Sequence, residues 1–182
     1  MNNKDRVAIF IDGSNLYHIL KDIYGTSKNM INFNFEKFSN LLINGRKGIR
    51  TYYYTAPLDR KKDEETYKKQ QQFFEKIKQI QNFKLILCRM QKEKIDGKII
   101  YVVKEDDIHL AVDMVKLAYN NAYDTAILVS SDGDFVPAIK AIQEIGKKVE
   151  NVGFKKKFSW HLKQESDLFK QLSREDLEAC FD

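Results

Sequence analysis

The sequence has only two cysteines, Cys88 and Cys180, which are far apart and show no CxxC spacing. Zinc sites and disulfide frameworks need more cysteines or clustered histidines, so neither is expected. A reducing, cytoplasmic location is therefore the default expectation. No run is long and apolar enough to span a bilayer, and the apolar run at residues 7–11 ends at Asp12. We therefore predict neither a membrane protein nor a signal peptide.

Several nucleotide-binding and nucleophilic motifs are also missing. There is no GxxxxGK(S/T) phosphate loop, and the turn after the first predicted strand is not GxGxxG, so NTP and dinucleotide binding are not favoured. His18, His109 and His161 lie near no serine or cysteine in a triad-like motif. Residues 130–141, SSDGDFVPAIKA, lack the terminal glutamate of an EF-hand loop.

The composition is moderately basic. The 182 residues carry a formal net charge of +5, with a pI near 9.0. This charge is compatible with a polyanionic partner, although a lysine-rich composition explains it equally well.

The hydrophobic pattern predicts an α/β fold. Apolar or β-branched runs alternate with helical patterns, and we predict strands at residues 7–11, 49–55, 83–88, 126–129 and 148–152. Such alternation indicates a central, mostly parallel five-stranded sheet with helices on both faces. Asp96-Gly97 between two extended runs predicts a small β-hairpin insertion at about residues 89–103.

The C-terminal part is predicted to be a helical tail at about residues 158–182. The apolar residues around Trp160 pack either on their own domain or on a second copy, so a homodimer is one alternative. No linker or repeat divides the chain, and we predict one domain over residues 1–182.

Acidic residues follow three of the predicted strands. The three strand-to-helix junctions carry Asp12 with Asn15, then Glu105, Asp106 and Asp107 with Asp113 further along the helix, and then Asp132 with Asp134. The carboxyl ends of parallel strands share one edge, so these groups can converge there. Converging carboxylates repel one another unless a cation neutralises them, and oxygen-only ligands select Mg²⁺ or Mn²⁺. Such a site suits phosphodiester hydrolysis.

Each acid also has a structural explanation. Asp12, Asp132 or Asp134 could cap a helix, and Glu105 and Asp106 could be solvated charges in a first helical turn. Asp113 lies among apolar helix positions, so it is either a ligand of the site or a buried, paired structural acid.

Three segments together resemble the NYN domain family, PIN-like nucleases of the kind found in bacterial LabA-type proteins. They are FIDGSNLY, DDIHLAVDMVKLAYNNAYDTAILVSSDGDFVPAIKAIQEIGKKV and GFKKKFSWHLKQESDLFKQL. The resemblance implies a PIN-like Rossmannoid three-layer sandwich, a Mg²⁺ or Mn²⁺ site and action on RNA. By position it implies site roles for Asp12, Asn15, Asp107, Asp113, Ser131, Asp132 and Asp134. The chain departs from the family pattern at Glu105 and Asp106, where the family often has small or apolar residues.

We therefore predict an endoribonuclease that hydrolyses RNA with metal-activated water. The predicted metal ligands are Asp12, Asp107, Asp132 and Asp134. Asn15 and Ser131 would orient a ligand or the phosphate, and Asp113 would be peripheral. The lysines predicted to contact RNA, unless they form a solvated face, are Lys155, Lys156 and Lys157, together with Lys92, Lys94 and Lys98 in the hairpin.

Two other functions are consistent with parts of the pattern. One is a non-catalytic RNA- or nucleotide-binding module that acts through a protein partner. The other is a phosphatase for small phosphate esters, which would need a second acid two residues after Asp12, where Ser14 stands.

Overall fold

A computed structural model describes residues 4–25, 27–28, 30–61, 63–95, 98–155 and 157–182, with the backbone alone for residues 30, 90–95 and 98–104. The strands are Arg6–Asp12 (β1), Lys47–Thr55 (β2), Phe83–Leu87 (β3), Arg89–Ile95 (β4), Lys98–Lys104 (β5), Thr125–Val129 (β6), Lys148–Phe154 (β7) and Leu168–Leu172 (β8). The helices are Gly13–Tyr24 (α1), Phe35–Ile43 (α2), Glu64–Lys78 (α3), Asp106–Tyr119 (α4), Val136–Glu144 (α5), Trp160–Glu165 (α6) and Arg174–Glu178 (α7). Short 3₁₀ turns occupy Met30–Asn32 and Gly133–Phe135.

Six strands form one parallel sheet in the order β3-β2-β1-β6-β7-β8. The chain adds β2 and β3 on one side of β1, and later adds β6, β7 and β8 on the other. The strand order therefore reverses between β1 and β6. In open α/β sheets the strand connections diverge at such a point and leave a crevice at the carboxyl ends of the strands.

Side chains of β1 alternate between two hydrophobic cores. Val7, Ile9 and Ile11 pack with α1, α2 and α3, whereas Ala8 and Phe10 pack with α4, α5 and α6 on the opposite face. A central strand buried on both faces has a continuous apolar sequence, which is why residues 7–11 are apolar throughout. The predicted α/β sandwich is thus confirmed, with helices flanking a parallel sheet.

The predicted strand number is wrong, and the segment predicted as a helical tail contains a strand between α6 and α7. The structure has a sixth strand, β8, inside the segment predicted as helix, and it pairs parallel with β7. Asp167 starts this pairing, because its carboxylate accepts a hydrogen bond from the Val149 amide at 2.8 Å and its own amide donates to the Val149 carbonyl at 2.9 Å. Pairing with the open edge of β7 overrides the helical spacing of the apolar residues.

Strands β4 and β5 pair antiparallel in a separate two-stranded sheet. The predicted turn at Asp96 and Gly97 lies outside the described residues. The capping box predicted at Ser173 is present, since Ser173 and Asp176 exchange side-chain-to-backbone hydrogen bonds at the start of α7. None of the helices in the described part of the chain has the length and apolar composition needed to cross a membrane.

Candidate metal centre

Asp12 is the last residue of β1 and lies beside the point where the strand order reverses. Its side chain is buried, with 5% of its surface exposed. One carboxylate oxygen accepts from the Asn15 amide at 2.9 Å and so caps α1, while the other accepts from the Ser130 hydroxyl at 3.0 Å. The capping role anticipated for a lone acid is therefore real, but it uses only one of the two oxygens.

Gly13 allows β2 to approach Asp12 closely. A Cβ at this position would lie 2.5 Å from the Tyr53 ring and 2.6 Å from the Tyr54 carbonyl oxygen. Any side chain here would push β2 away from the end of β1. The glycine therefore fixes the wall on one side of Asp12.

Two acids from the start of α4 meet Asp12. Glu105 precedes the helix with a left-handed backbone, φ 75°, and its side chain forms an ion pair with Arg89 at 3.0 Å. Asp106 is buried and Asp107 is exposed. One carboxylate oxygen from each of Asp12, Asp106 and Asp107 lies within 4.8 Å of the other two. We call these three residues the carboxylate cluster.

The carboxylate cluster is electrostatically strained. The pKa of Asp12 is raised to about 7, mainly by burial and further by the charges of Asp107 and Asp106. Although Asp107 is exposed as a residue, its carboxyl is partly desolvated, and this desolvation first and then the charges of Asp106, Asp132 and Asp134 raise its pKa to about 6. Burial and like charge both disfavour the ionised form, and a cation would relieve the repulsion between the carboxylates.

The residues after β6 are connected to Asp12 through Ser130. Its hydroxyl donates to Asp12 and also accepts from the Asp132 amide at 3.1 Å. Asp132 in turn caps the following 3₁₀ turn, because its carboxylate accepts from the Asp134 amide at 3.0 Å. Asp132 and Asp134 lie outside the carboxylate cluster, and their charges reach it through Asp107.

Asn15 and Ser131 clamp the two sides of the crevice together. The Asn15 amide group donates to the Ser131 hydroxyl at 3.0 Å, and its carbonyl oxygen accepts from the Ser131 backbone amide at 3.1 Å. The structure thus pairs two of the predicted site residues with each other. Their side chains hold the β1 and β6 ends in a fixed relation.

Asp113 lies two turns along α4 from the carboxylate cluster and is not part of it. Its carboxylate accepts a hydrogen bond from the Tyr54 hydroxyl at 3.0 Å. Burial and the Asp113 charge both raise the pKa of Tyr54, so the phenol remains protonated and keeps donating. Asp113 is half-buried, and its peripheral role in the site stays a prediction.

The predicted RNA-contacting lysines have different surroundings. Lys155 is exposed, whereas the Lys157 ammonium forms an ion pair with Asp22 at 2.7 Å. Lys156 and the side chains of the hairpin lysines lie outside the described residues. Contact with RNA remains a prediction for all of them.

The sequence-based prediction did not include Ser130 or Asp106 among the site residues. In the sequence, Ser130 is simply the residue that ends an apolar strand. Its 1% exposure and the two hydrogen bonds of its hydroxyl show that it connects Asp12 to Asp132. Asp106 could have been retained from its position in the first turn of α4, beside Asp107.

Comparison with known proteins identifies the family. Residues 6–173 match the NYN domain family. The chain belongs to the NYN domain family. NYN domains have a PIN-like nuclease fold, and the family is generally ribonuclease-like, so the resemblance drawn from the sequence motifs is confirmed.

Two individual proteins are similar to this NYN chain. An uncharacterized protein of Methanocaldococcus jannaschii is 41% identical over 78 residues, which are 40% of this chain and 32% of that protein. The chain therefore spans about a third of that relative's length. The crystal structure of a protein of unknown function from Vibrio parahaemolyticus superimposes with a TM-score of 0.65 and 22% identity, over 97% of this chain and 98% of the other. That similarity supports the fold alone.

Proposed function

We propose that this chain, as one NYN domain over residues 1–182, is a divalent-metal-dependent endoribonuclease of the cytoplasm. The observation that carries the proposal is the carboxylate cluster, placed at the crevice where the strand order of a ribonuclease-like fold reverses. All three acids come from one chain, so the cluster does not require a second copy. Cys88 and Cys180 are buried free thiols, which suits a reducing compartment.

The donor set fits Mg²⁺ or Mn²⁺. The carboxylate cluster offers only hard oxygen ligands. The Cys88 thiol, whose pKa is raised to about 11 by burial first and then by Asp106 and its neighbours, is not among the groups that converge in the carboxylate cluster. Asp12, Asp106 and Asp107 would hold the ion, with Asp132 and Asp134 as further ligands, directly or through water.

The bound ion would polarise a phosphate oxygen, lower the pKa of water and neutralise the leaving oxygen. The protein supplies the arrangement of its own groups. The Ser130 hydroxyl keeps Asp12 oriented toward the crevice, and the Asn15–Ser131 clamp keeps the two strand ends at a fixed separation. Because the ligands are held before substrate arrives, little reorganisation is needed during the reaction.

The RNA backbone would approach this edge from the side of β7. The loop that follows β7 carries Lys155 and Lys157, and the chain as a whole is basic. Exposed lysines interact with phosphates without reading sequence, so we expect affinity to fall steeply with salt.

The function is tested by incubating labelled single-stranded RNA, structured RNA and DNA with the protein in Mg²⁺ or Mn²⁺. We expect internal cleavage of RNA that EDTA abolishes and that Asp132→Asn and Asp12→Asn reduce by at least about 100-fold. Asp63→Asn is the matched control, because Asp63 is an exposed N-cap of α3 and asparagine caps equally well. RNA binding without cleavage would instead support the non-catalytic module, and cleavage that survives EDTA would indicate a contaminating nuclease.

A further inference from the structure

Three aromatic rings, one exposed and two half-buried, pack together at the edge strand β8. Phe158, Trp160 and Phe169 pack with centroid distances of 5.9 Å between the first two rings and 5.4 Å between Phe158 and Phe169. Trp160 nevertheless has 62% of its surface exposed. We call these three residues the aromatic platform.

The aromatic platform packs against strand β7 and is fixed at helix α6. Gly153 in β7 has no side chain, and a Cβ there would lie 2.6 Å from the Phe169 ring and 2.7 Å from Phe158. The Phe169 ring and the Phe158 Cβ therefore lie directly against the β7 backbone. Ser159 caps α6, and the next residues of that helix anchor it through Leu162, which is fully buried. Trp160 is thus presented on a pre-packed support.

A lysine places a positive charge over these rings. The Lys163 ammonium lies 5.6 Å from the Phe158 centroid, 5.0 Å from Trp160 and 5.3 Å from Phe169. Within the described ranges no carboxylate forms an ion pair with Lys163. An apolar partner would gain nothing from this ammonium. A nucleotide, in contrast, can stack its base on a ring face and bind the cation through its phosphate.

The aromatic platform adjoins the turn that carries Asp132 and Asp134. A Cβ on Gly133 would lie 3.4 Å from the Ser159 hydroxyl oxygen and 3.8 Å from the His161 ring. Gly133 stands between Asp132 and Asp134, and Ser159 and His161 flank Trp160. The turn that carries the third group of acids is therefore in contact with the turn that carries the tryptophan.

We propose that the aromatic platform and Lys163 bind an unpaired nucleobase and an adjacent phosphate of single-stranded RNA. The proposal rests on the proposed ribonuclease function and adds a substrate class to it. A base held in a duplex cannot expose its face to Trp160, so the substrate is selected for being unpaired at this position. The RNA strand then runs from the platform across Gly133 to the carboxylate cluster.

The chain has a single tryptophan, so its fluorescence reports directly on the platform. Binding is measured in EDTA, where no metal-dependent cleavage occurs, by titrating single-stranded RNA, or a duplex of the same sequence, into the protein. We expect saturable quenching of Trp160 by the single strand and little quenching by the duplex. By anisotropy of labelled RNA, Trp160→Ala should weaken single-strand binding about 5- to 100-fold, as expected for one lost stacking contact. Trp160→Phe should restore most of the affinity.

Tyr119→Ala is the matched control, because Tyr119 is 74% exposed on α4 and should leave RNA affinity unchanged. Absence of quenching, or an unchanged affinity of Trp160→Ala, would overturn the proposal. So would sedimentation showing a dimer that Trp160→Ala converts to a monomer, because a second copy would then cover the platform. Cleavage is assayed separately, so a failed platform with intact cleavage leaves the ribonuclease function standing, and quenching without any cleavage refutes only that function.

Discussion

Replacing Asp12 with asparagine should stabilise the metal-free protein at neutral and alkaline pH. The buried Asp12 carboxyl has its pKa raised from 3.8 to about 7. That difference corresponds to about 4 kcal/mol of unfavourable free energy when the folded protein must ionise the group. Asparagine keeps an oxygen for the Asn15 amide but must rearrange its contact with Ser130, at a cost of about 1 kcal/mol. We expect a net gain of about 2–3 kcal/mol, or roughly 4–12 °C in Tm for a chain of this size.

The gain should depend on pH in a defined direction. Because the folded-state pKa of Asp12 is the higher one, the folded protein binds a proton between about pH 4 and pH 7 that the unfolded chain does not. The contribution to wild-type stability is complete below about pH 4 and is lost as the pH rises through about 7. The asparagine variant has no carboxyl to ionise at this position, so its stability does not fall in this way as the pH rises. Its advantage should therefore be absent in acid and complete above neutrality.

Urea unfolding followed by circular dichroism in EDTA measures this difference at about pH 4 and about pH 8. Asp63→Asn serves again as the control: hydrogen bonds from Thr66 lower the pKa of this exposed carboxyl in the folded protein, so the variant should be no more stable than wild type at about pH 8. Adding Mg²⁺ at the higher pH should stabilise wild type and leave Asp12→Asn unchanged. The reasoning is refuted if Asp12→Asn is no more stable than wild type at high pH, or if its advantage is equally large in acid.

Four further substitutions test other contacts. Ser130→Ala removes the hydroxyl that orients Asp12 and should weaken Mn²⁺ binding about 10- to 100-fold by calorimetry, with the fold unchanged by circular dichroism. Asp107→Asn removes a carboxylate of the cluster and should abolish measurable Mn²⁺ binding, so retained affinity would place the ion elsewhere. Gly13→Ala adds a Cβ 2.5 Å from a ring of β2 and should destabilise the protein by about 2 kcal/mol or more, whereas Gly133→Ala, with its nearest neighbour at 3.4 Å, should be tolerated.

The central strands could be predicted because strands buried on both faces consist of apolar residues throughout. β1 and β6 are covered on both faces, so each is a continuous apolar run that a helix of the same length would not require. β8 could not be predicted in this way. It is a short edge strand without β-branched residues, and it is extended because β7 offers unpaired backbone groups and Asp167 fixes the register. The extended conformation of β8 therefore depends on tertiary contacts rather than on its own sequence.

The location of the site could be predicted from the topology, but its exact members could not. Acids at the ends of parallel strands must share one edge, so Asp12 and the start of α4 were expected to meet. The sequence did not show that both Asp106 and Asp107 reach Asp12, because this depends on how α4 begins after Glu105, which has a positive φ. Ser130 could not be recognised because a serine at the end of a strand is usually a turn residue, and only the distances to Asp12 and Asp132 distinguish it.

The measurement that tests the central claim most directly is single-turnover cleavage of one labelled RNA in Mn²⁺ by wild type, Asp107→Asn and Asp63→Asn purified side by side. If the carboxylate cluster holds the catalytic ion, wild type and Asp63→Asn should cleave at the same rate and Asp107→Asn at least about 100-fold more slowly. Equal rates for all three proteins would contradict the assignment of the metal centre to this cluster.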